Sequence, residues 1–143
     1  MAKAELIAKY LIKRAREYNI SDVSPLKLQK LLYLAYEEFV KVHRRPLFNG
    51  DFEVWRHGPV VRNIYDEYKV FGSEVISLDT SVKESELTKD TKEIVNKVIN
   101  EHGHKSAWDL VDETHRKDGP WYIKMERGES IIEFDDIKKV VEK

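Results

Sequence analysis

Between Ser24 and His43, apolar residues recur at three- and four-residue steps: Leu28, Leu31, Leu32, Ala35, Tyr36 and Phe39. That period lines one face of a helix. Tyr33 and Leu34 widen the stripe, so contacts are expected on more than one side. Ser24 can cap the helix, and Pro25 suits its first turn, where no N–H is needed. The pattern predicts a central helix over residues 25–43. His43-Arg44-Arg45-Pro46 stops it, because a residue before proline leaves the helical region.

The flanking elements follow from the same reading. Residues 3–18 place Leu6, Ile7, Tyr10, Leu11 and Ala15 on one side and charges elsewhere, an amphipathic helix. Asn49-Gly50 marks a turn. Phe52-Glu53-Val54-Trp55 alternates as a short strand, with a partner expected at Leu47-Phe48 or at residues 130–134. Next comes Arg56-His57-Gly58-Pro59, read as the entry to a helix with Gly58 as N-cap and Pro59 as first residue. That helix is expected to run to about Val70, with Gly72 as its C-cap. Residues 73–89 are polar and acidic and read as a loop. Further helices are predicted from Thr88 or Asp90 to about His102, from Ser106 to about His115, and from Asp135 onward. Lys117-Asp118-Gly119-Pro120 breaks the chain, after which Trp121 and Tyr122 return as an aromatic anchor. The sum is a mainly α, compact, single-domain fold over residues 1–143, with about six helices around helix 25–43 and a minor β element.

Composition narrows the function classes. The chain has no cysteine, which removes disulfides, thiolate nucleophiles and cysteine metal sites and suits a reducing compartment. No apolar run approaches the ~18 residues of a membrane helix, and the N-terminus alternates charged and apolar residues unlike a signal peptide. A cytoplasmic protein without membrane contact is expected. The net charge of −1 gives no overall drive toward nucleic acid. Residues 1–45 nevertheless hold ten Lys/Arg against five Asp/Glu, a local net of +5 that leaves −6 for the remainder. Such a bias accompanies either a solvated helix face or a basic docking face. Two basic helices with a linker of about six residues do not make a helix-turn-helix, whose turn is shorter, and the second is too apolar to lie in a groove. Nucleic acid is therefore an unfavoured partner.

The chemical inventory is thin. His102-Gly103-His104 is the one close histidine pair and spans a helix stop, and without cysteine a zinc site would need ligands from elsewhere. Carboxylate pairs such as Glu37-Glu38 and Asp112-Glu113 are adjacent residues, which point apart on a helix. No glycine-rich phosphate loop and no nucleophile elbow occurs. No catalytic set, metal site or cofactor is expected. Arg56 and His57, placed beside a predicted helix N-terminus, form one candidate anion site.

Longer phrases carry more information. Leu28-Gln29-Lys30-Leu31-Leu32-Tyr33 is followed by Pro46-Leu47-Phe48 and by Phe52-Glu53-Val54-Trp55-Arg56-His57-Gly58-Pro59-Val60. Tyr65, Thr114-His115 and Pro120-Trp121 complete the series. In order and spacing this resembles the Panacea-domain antitoxin family, which includes SocA-like and prophage-borne GepA-like proteins. The resemblance covers residues 26–121; Val54 stands where the family often has alanine. It implies an antitoxin that neutralises a protein toxin, among them small alarmone synthetase types, by direct binding or by delivery to a cytosolic protease, with no catalysis. It also singles out Trp55, Arg56, His57, Gly58, Pro59, Tyr65, His115 and Trp121 as motif or partner-binding residues. The alternative is a phage- or mobile-element-associated regulator touching DNA through residues 1–45. A third class is an enzyme using Arg56, His57 and His115 on an anionic substrate.

Overall fold

The structure is a computed structural model and describes residues 1–78 and 81–142; residues 79, 80 and 143 lie outside it. Helix α1 spans Ala4–Glu17 and α2 spans Pro25–His43. A hairpin follows, β1 Phe52–Trp55 and β2 Gly58–Val60, then α3 Arg62–Tyr68. The second half supplies α4 Lys89–His102, α5 Ala107–Thr114, α6 Pro120–Arg127, β3 Ile131–Ile132 and α7 Phe134–Val141. The fold is mainly α with a minor β element, as expected.

Helix α2 is the axis. It packs against α1, α3, α4, α5, α7 and β2. The whole predicted stripe, from Leu28 to Phe39, is buried, together with Tyr33 and Val40. Ser24 Oγ accepts from the Lys27 N–H at 3.2 Å, and Pro25 occupies the first turn. At the other end Arg44 adopts a left-handed φ of 58° and donates its N–H to the Val40 carbonyl. Burial on every side also encloses Lys27, Gln29 and Lys30. Polar groups taken out of water must be paired, and each of these is. Lys27 Nζ donates to Asp22 at 2.6 Å. Gln29 clasps Val61, accepting from its N–H at 3.0 Å and donating to its carbonyl at 3.1 Å. Lys30 Nζ donates to the Pro59 carbonyl at 2.5 Å.

These bonds explain one departure from expectation. Gly58 and Pro59 do not open a helix. They form β2, which pairs antiparallel with β1 in the register Trp55↔Gly58, Val54↔Pro59 and Glu53↔Val60. Arg56 and His57 are the two-residue turn of that hairpin, and α3 starts only at Arg62, with Val61 as its N-cap. The reason is steric as well as electrostatic. Gly58 has φ +114°, and a Cβ there would lie 2.7 Å from both Lys30 Nζ and Thr114 Oγ1. Glycine is needed so that the turn can descend onto α2. Proline is tolerated because β2 is an edge strand.

The sheet order is β2-β1-β3, so the expected pairing with residues 130–134 holds, through Phe52↔Ile132 and Glu53↔Ile131. The alternative pairing with Leu47-Phe48 does not occur. Both residues are buried, and Phe48, Tyr36, Phe52 and Tyr33 form a cluster of edge-on and tilted ring contacts with centroids 5.0–5.8 Å apart. Aromatic burial draws the segment into the core instead of onto the sheet. Helix α6 was not foreseen; Gly119 is its N-cap and Pro120 its first residue, so Trp121 is a helical residue. In the expected loop 73–89, the described part is fastened to the body. Arg16 donates to the Ile76 and Leu78 carbonyls, the Ile76 N–H donates to Val23, and Ile76 and Leu87 are buried.

The clasp is testable. Gln29→Ala leaves the buried N–H of Val61 without a partner and its carbonyl with the Tyr65 N–H alone. It should cost about 2–4 kcal/mol in urea denaturation, against about 1 kcal/mol for removing the cap in Ser24→Ala.

Candidate protein interface

The motif residues converge on the β1–β2 hairpin and divide into a buried platform and an exposed rim. In the platform, Trp121 is buried and donates its indole N–H to the Trp55 carbonyl at 2.7 Å. His115, at the C-terminus of α5, stacks on Trp121 with centroids 3.6 Å apart and planes 10° from parallel. Gly58 and Pro59 are buried beneath the turn, against Lys30 and Thr114.

The rim carries Arg56 and His57, both exposed, with Trp55 half-buried and Tyr65 36% exposed. Trp55 leans on α3. Its ring meets Tyr65 edge-on at 4.7 Å, the Arg62 guanidinium sits 5.0 Å above it, and its indole N–H donates to Glu53 at 3.0 Å. Glu53 in turn accepts two bonds from Arg62, at 2.9 and 3.1 Å, and these bonds hold its carboxyl below the usual range. On the other side His57 meets the ring of Trp108 edge-on at 4.9 Å, and Trp108 is 58% exposed. Trp108 comes from α5. Between the hairpin tip, the first turns of α2 and α3 lies an apolar cleft of about 160 Å³, bordered by Leu26, Trp55, Arg56, Ile64 and Tyr65.

Two titratable groups sit below this face. Burial lowers the Lys30 amine from 10.5 to about 7. Burial, and then the charge of Lys30, hold the His115 imidazole below its ordinary value. His115 Nε2 is buried without a partner. No hydrogen bond joins His57 to His115, and Arg56 stands on a turn, so the anion site at a helix N-terminus is not built.

Lys30 and Gln29 were missed as platform residues. Their signal was local: Lys30 has Leu26, Tyr33 and Leu34 at three- and four-residue steps, and Gln29 has Pro25, Leu26, Leu32 and Tyr33. A polar residue with apolar neighbours on its own helical face is buried with them.

Other candidates are placed elsewhere. His102 Nδ1 lies 3.2 Å from Glu113 and 2.9 Å from Lys105 Nζ, while His104 is exposed. Among the described residues no group of three or more His, Cys, Asp or Glu is arranged to hold a metal ion. Two basic residues of α1 are paired within the chain: Lys13 with Glu84 at 2.6 Å, and Arg14 with Asn96 and Glu17 at 2.9 Å each. Among the described residues no helix is long and apolar enough to cross a membrane.

Residues 28–122 match the family described as "Antitoxin SocA-like, Panacea domain". That span starts in α2, contains the hairpin and ends just past Trp121. The curated protein "Antitoxin SocA" of Caulobacter vibrioides (strain NA1000 / CB15N) is 33% identical over 131 residues, which cover 84% of this chain and 69% of that protein. No solved structure matches.

The buried amine yields a prediction. Between pH 7 and 10.5 the unfolded chain keeps the Lys30 proton and the folded chain does not, so this group makes stability rise with pH across that window. Below pH 7 the full cost of burying the charge is present. The stability of Lys30→Met relative to the unaltered chain should therefore be highest below pH 7 and fall steadily above it in urea denaturation. A difference independent of pH would mean that the amine keeps its ordinary affinity for the proton.

Proposed function

Because the chain belongs to the antitoxin SocA-like, Panacea-domain family, we propose that it is the antitoxin of a toxin–antitoxin pair and neutralises its toxin by stoichiometric, non-catalytic contact in the cytoplasm. The observation that carries the contact mode is the rim described above. Binding energy at protein interfaces concentrates in Trp, Tyr and Arg side chains set around desolvated pockets. Here Trp55, Arg56, Tyr65 and Trp108 crowd one face around an apolar cleft, and the platform beneath fixes their positions. Rigid anchors lose little freedom on association, which favours affinity. Small alarmone synthetase-type toxins are the first partner class to test.

The family phrase thus serves two purposes in this proposal. Gly58, Pro59, His115 and Trp121 build the support, and Arg56, with Trp55 and Tyr65, meets the partner. Surfaces outside the phrase then set which toxin is taken. Delivery of a bound toxin to a cytosolic protease is the competing outcome for the same complex.

Co-expression with the product of the adjacent gene, scored by growth rescue and co-purification, tests this. Rescue with a stable complex is expected. Trp108→Ala and Arg56→Ala should each weaken that complex about tenfold or more while leaving the thermal midpoint of the free chain unchanged. Rescue with loss of the toxin instead of accumulation of a complex would favour protease delivery.

A further inference from the structure

The cleft between hairpin and helices has a chemistry more specific than an exposed aromatic face. We propose that it seats a partner segment presenting one large apolar side chain, aromatic or leucine, beside a carboxylate that pairs with Arg56. This deepens the antitoxin proposal and rests on it for the partner being a toxin.

Size sets the first half of the claim. A cavity of about 150 Å³ lined by apolar side chains accommodates one benzene-sized group, and this cleft measures about 160 Å³. Its walls are Leu26, Val60, Ile64 and the rings of Trp55 and Tyr65. They are already fixed before any partner arrives. Trp55 is held by Glu53, Arg62 and Tyr65, and the segment after β2 is held by the Gln29–Val61 clasp. An apolar side chain entering a preformed site gains burial without first ordering its walls.

Charge sets the second half. None of the residues lining the cleft is acidic, whereas the exposed guanidinium of Arg56 borders it. The nearest acid of the hairpin, Glu53, is committed to Arg62 and the Trp55 indole. Arg56 has no acidic partner among the described residues and stands exposed at the rim. A guanidinium with no carboxylate beside it, next to an apolar seat, selects an anion within reach of the seated side chain. A basic segment would meet like charge.

The test is selection of random dodecapeptides displayed on phage against the full chain. The probe for affinity is the most enriched peptide, labelled with fluorescein and read by anisotropy. The expected consensus is one Phe, Tyr, Trp or Leu with Asp or Glu within a few positions. Arg56→Glu, on an exposed turn, should weaken that peptide at least tenfold. Leu26→Trp, which fills the cleft from its half-buried wall, should do the same, with circular dichroism confirming both folds. A basic consensus, a consensus without a large apolar residue, no enrichment, or a peptide indifferent to both substitutions overturns the proposal. Growth rescue keeps the two claims apart. If both variants still rescue, the cleft is not the toxin's seat although the antitoxin role stands. If the unaltered chain rescues from no toxin, the role falls, and the peptide selection still decides the chemistry of the cleft.

Discussion

A helix enclosed on nearly every side must find partners for the long polar side chains it takes out of water, and on α2 Lys27, Gln29 and Lys30 are all paired. Two, Gln29 and Lys30, find their partners in one stretch of backbone, residues 59–61. From that constraint the remainder follows. The hairpin must come down onto α2 close enough for its carbonyls and amides to be reached. Only glycine fits at Gly58, where the descent is tightest. The far side of the hairpin is then secured by Trp121, which reaches from α6 to the carbonyl of Trp55. A two-residue turn is thereby fixed from below by α2 and from the side by α6, although it carries exposed side chains at its tip. Loops that bind are commonly mobile; this one is held at its base by side-chain hydrogen bonds.

How far the amino-acid sequence discloses this depends on the kind of signal. The bounds of α2 were legible because period, cap and proline agree at one end and a residue before proline stops the helix at the other. The hairpin was not, because Gly-Pro has two meanings. It reads as a helix start when the following residues have helical spacing, and as an edge strand when glycine is needed for positive φ. Only the buried Lys30 and Thr114 decide between them, and they are distant in the chain. Helix α6 was hidden for a related reason: its eight residues carry only a short apolar face, and Gly119-Pro120 looks like a break although it is also a cap and a first residue. The last helix was legible in position but not in capping, which falls to a box shared by Glu133 and Asp136.

The face around the hairpin was legible as a set of residue types and not as a surface. Trp55, Arg56, His57, Tyr65, His115 and Trp121 were all singled out, and the structure brings them around one turn. What no spacing could reveal was the division between support and rim. Trp121 and Trp55 are both tryptophans in the family phrase, yet one is buried under the other's backbone while the second lies against an exposed helix. Trp108 joins them only because α5 passes beside the turn, a tertiary fact without local trace.

All three tryptophans of the chain therefore surround a single turn, in three different surroundings. One is largely exposed, one is wedged between a tyrosine and a guanidinium, and one lies flat on an imidazole. Ultraviolet-excited emission from this molecule is thus a local signal and not an average over the fold. Its colour and intensity report the solvation of the hairpin's neighbourhood, and no dye or reporter group has to be attached to observe a protein landing there.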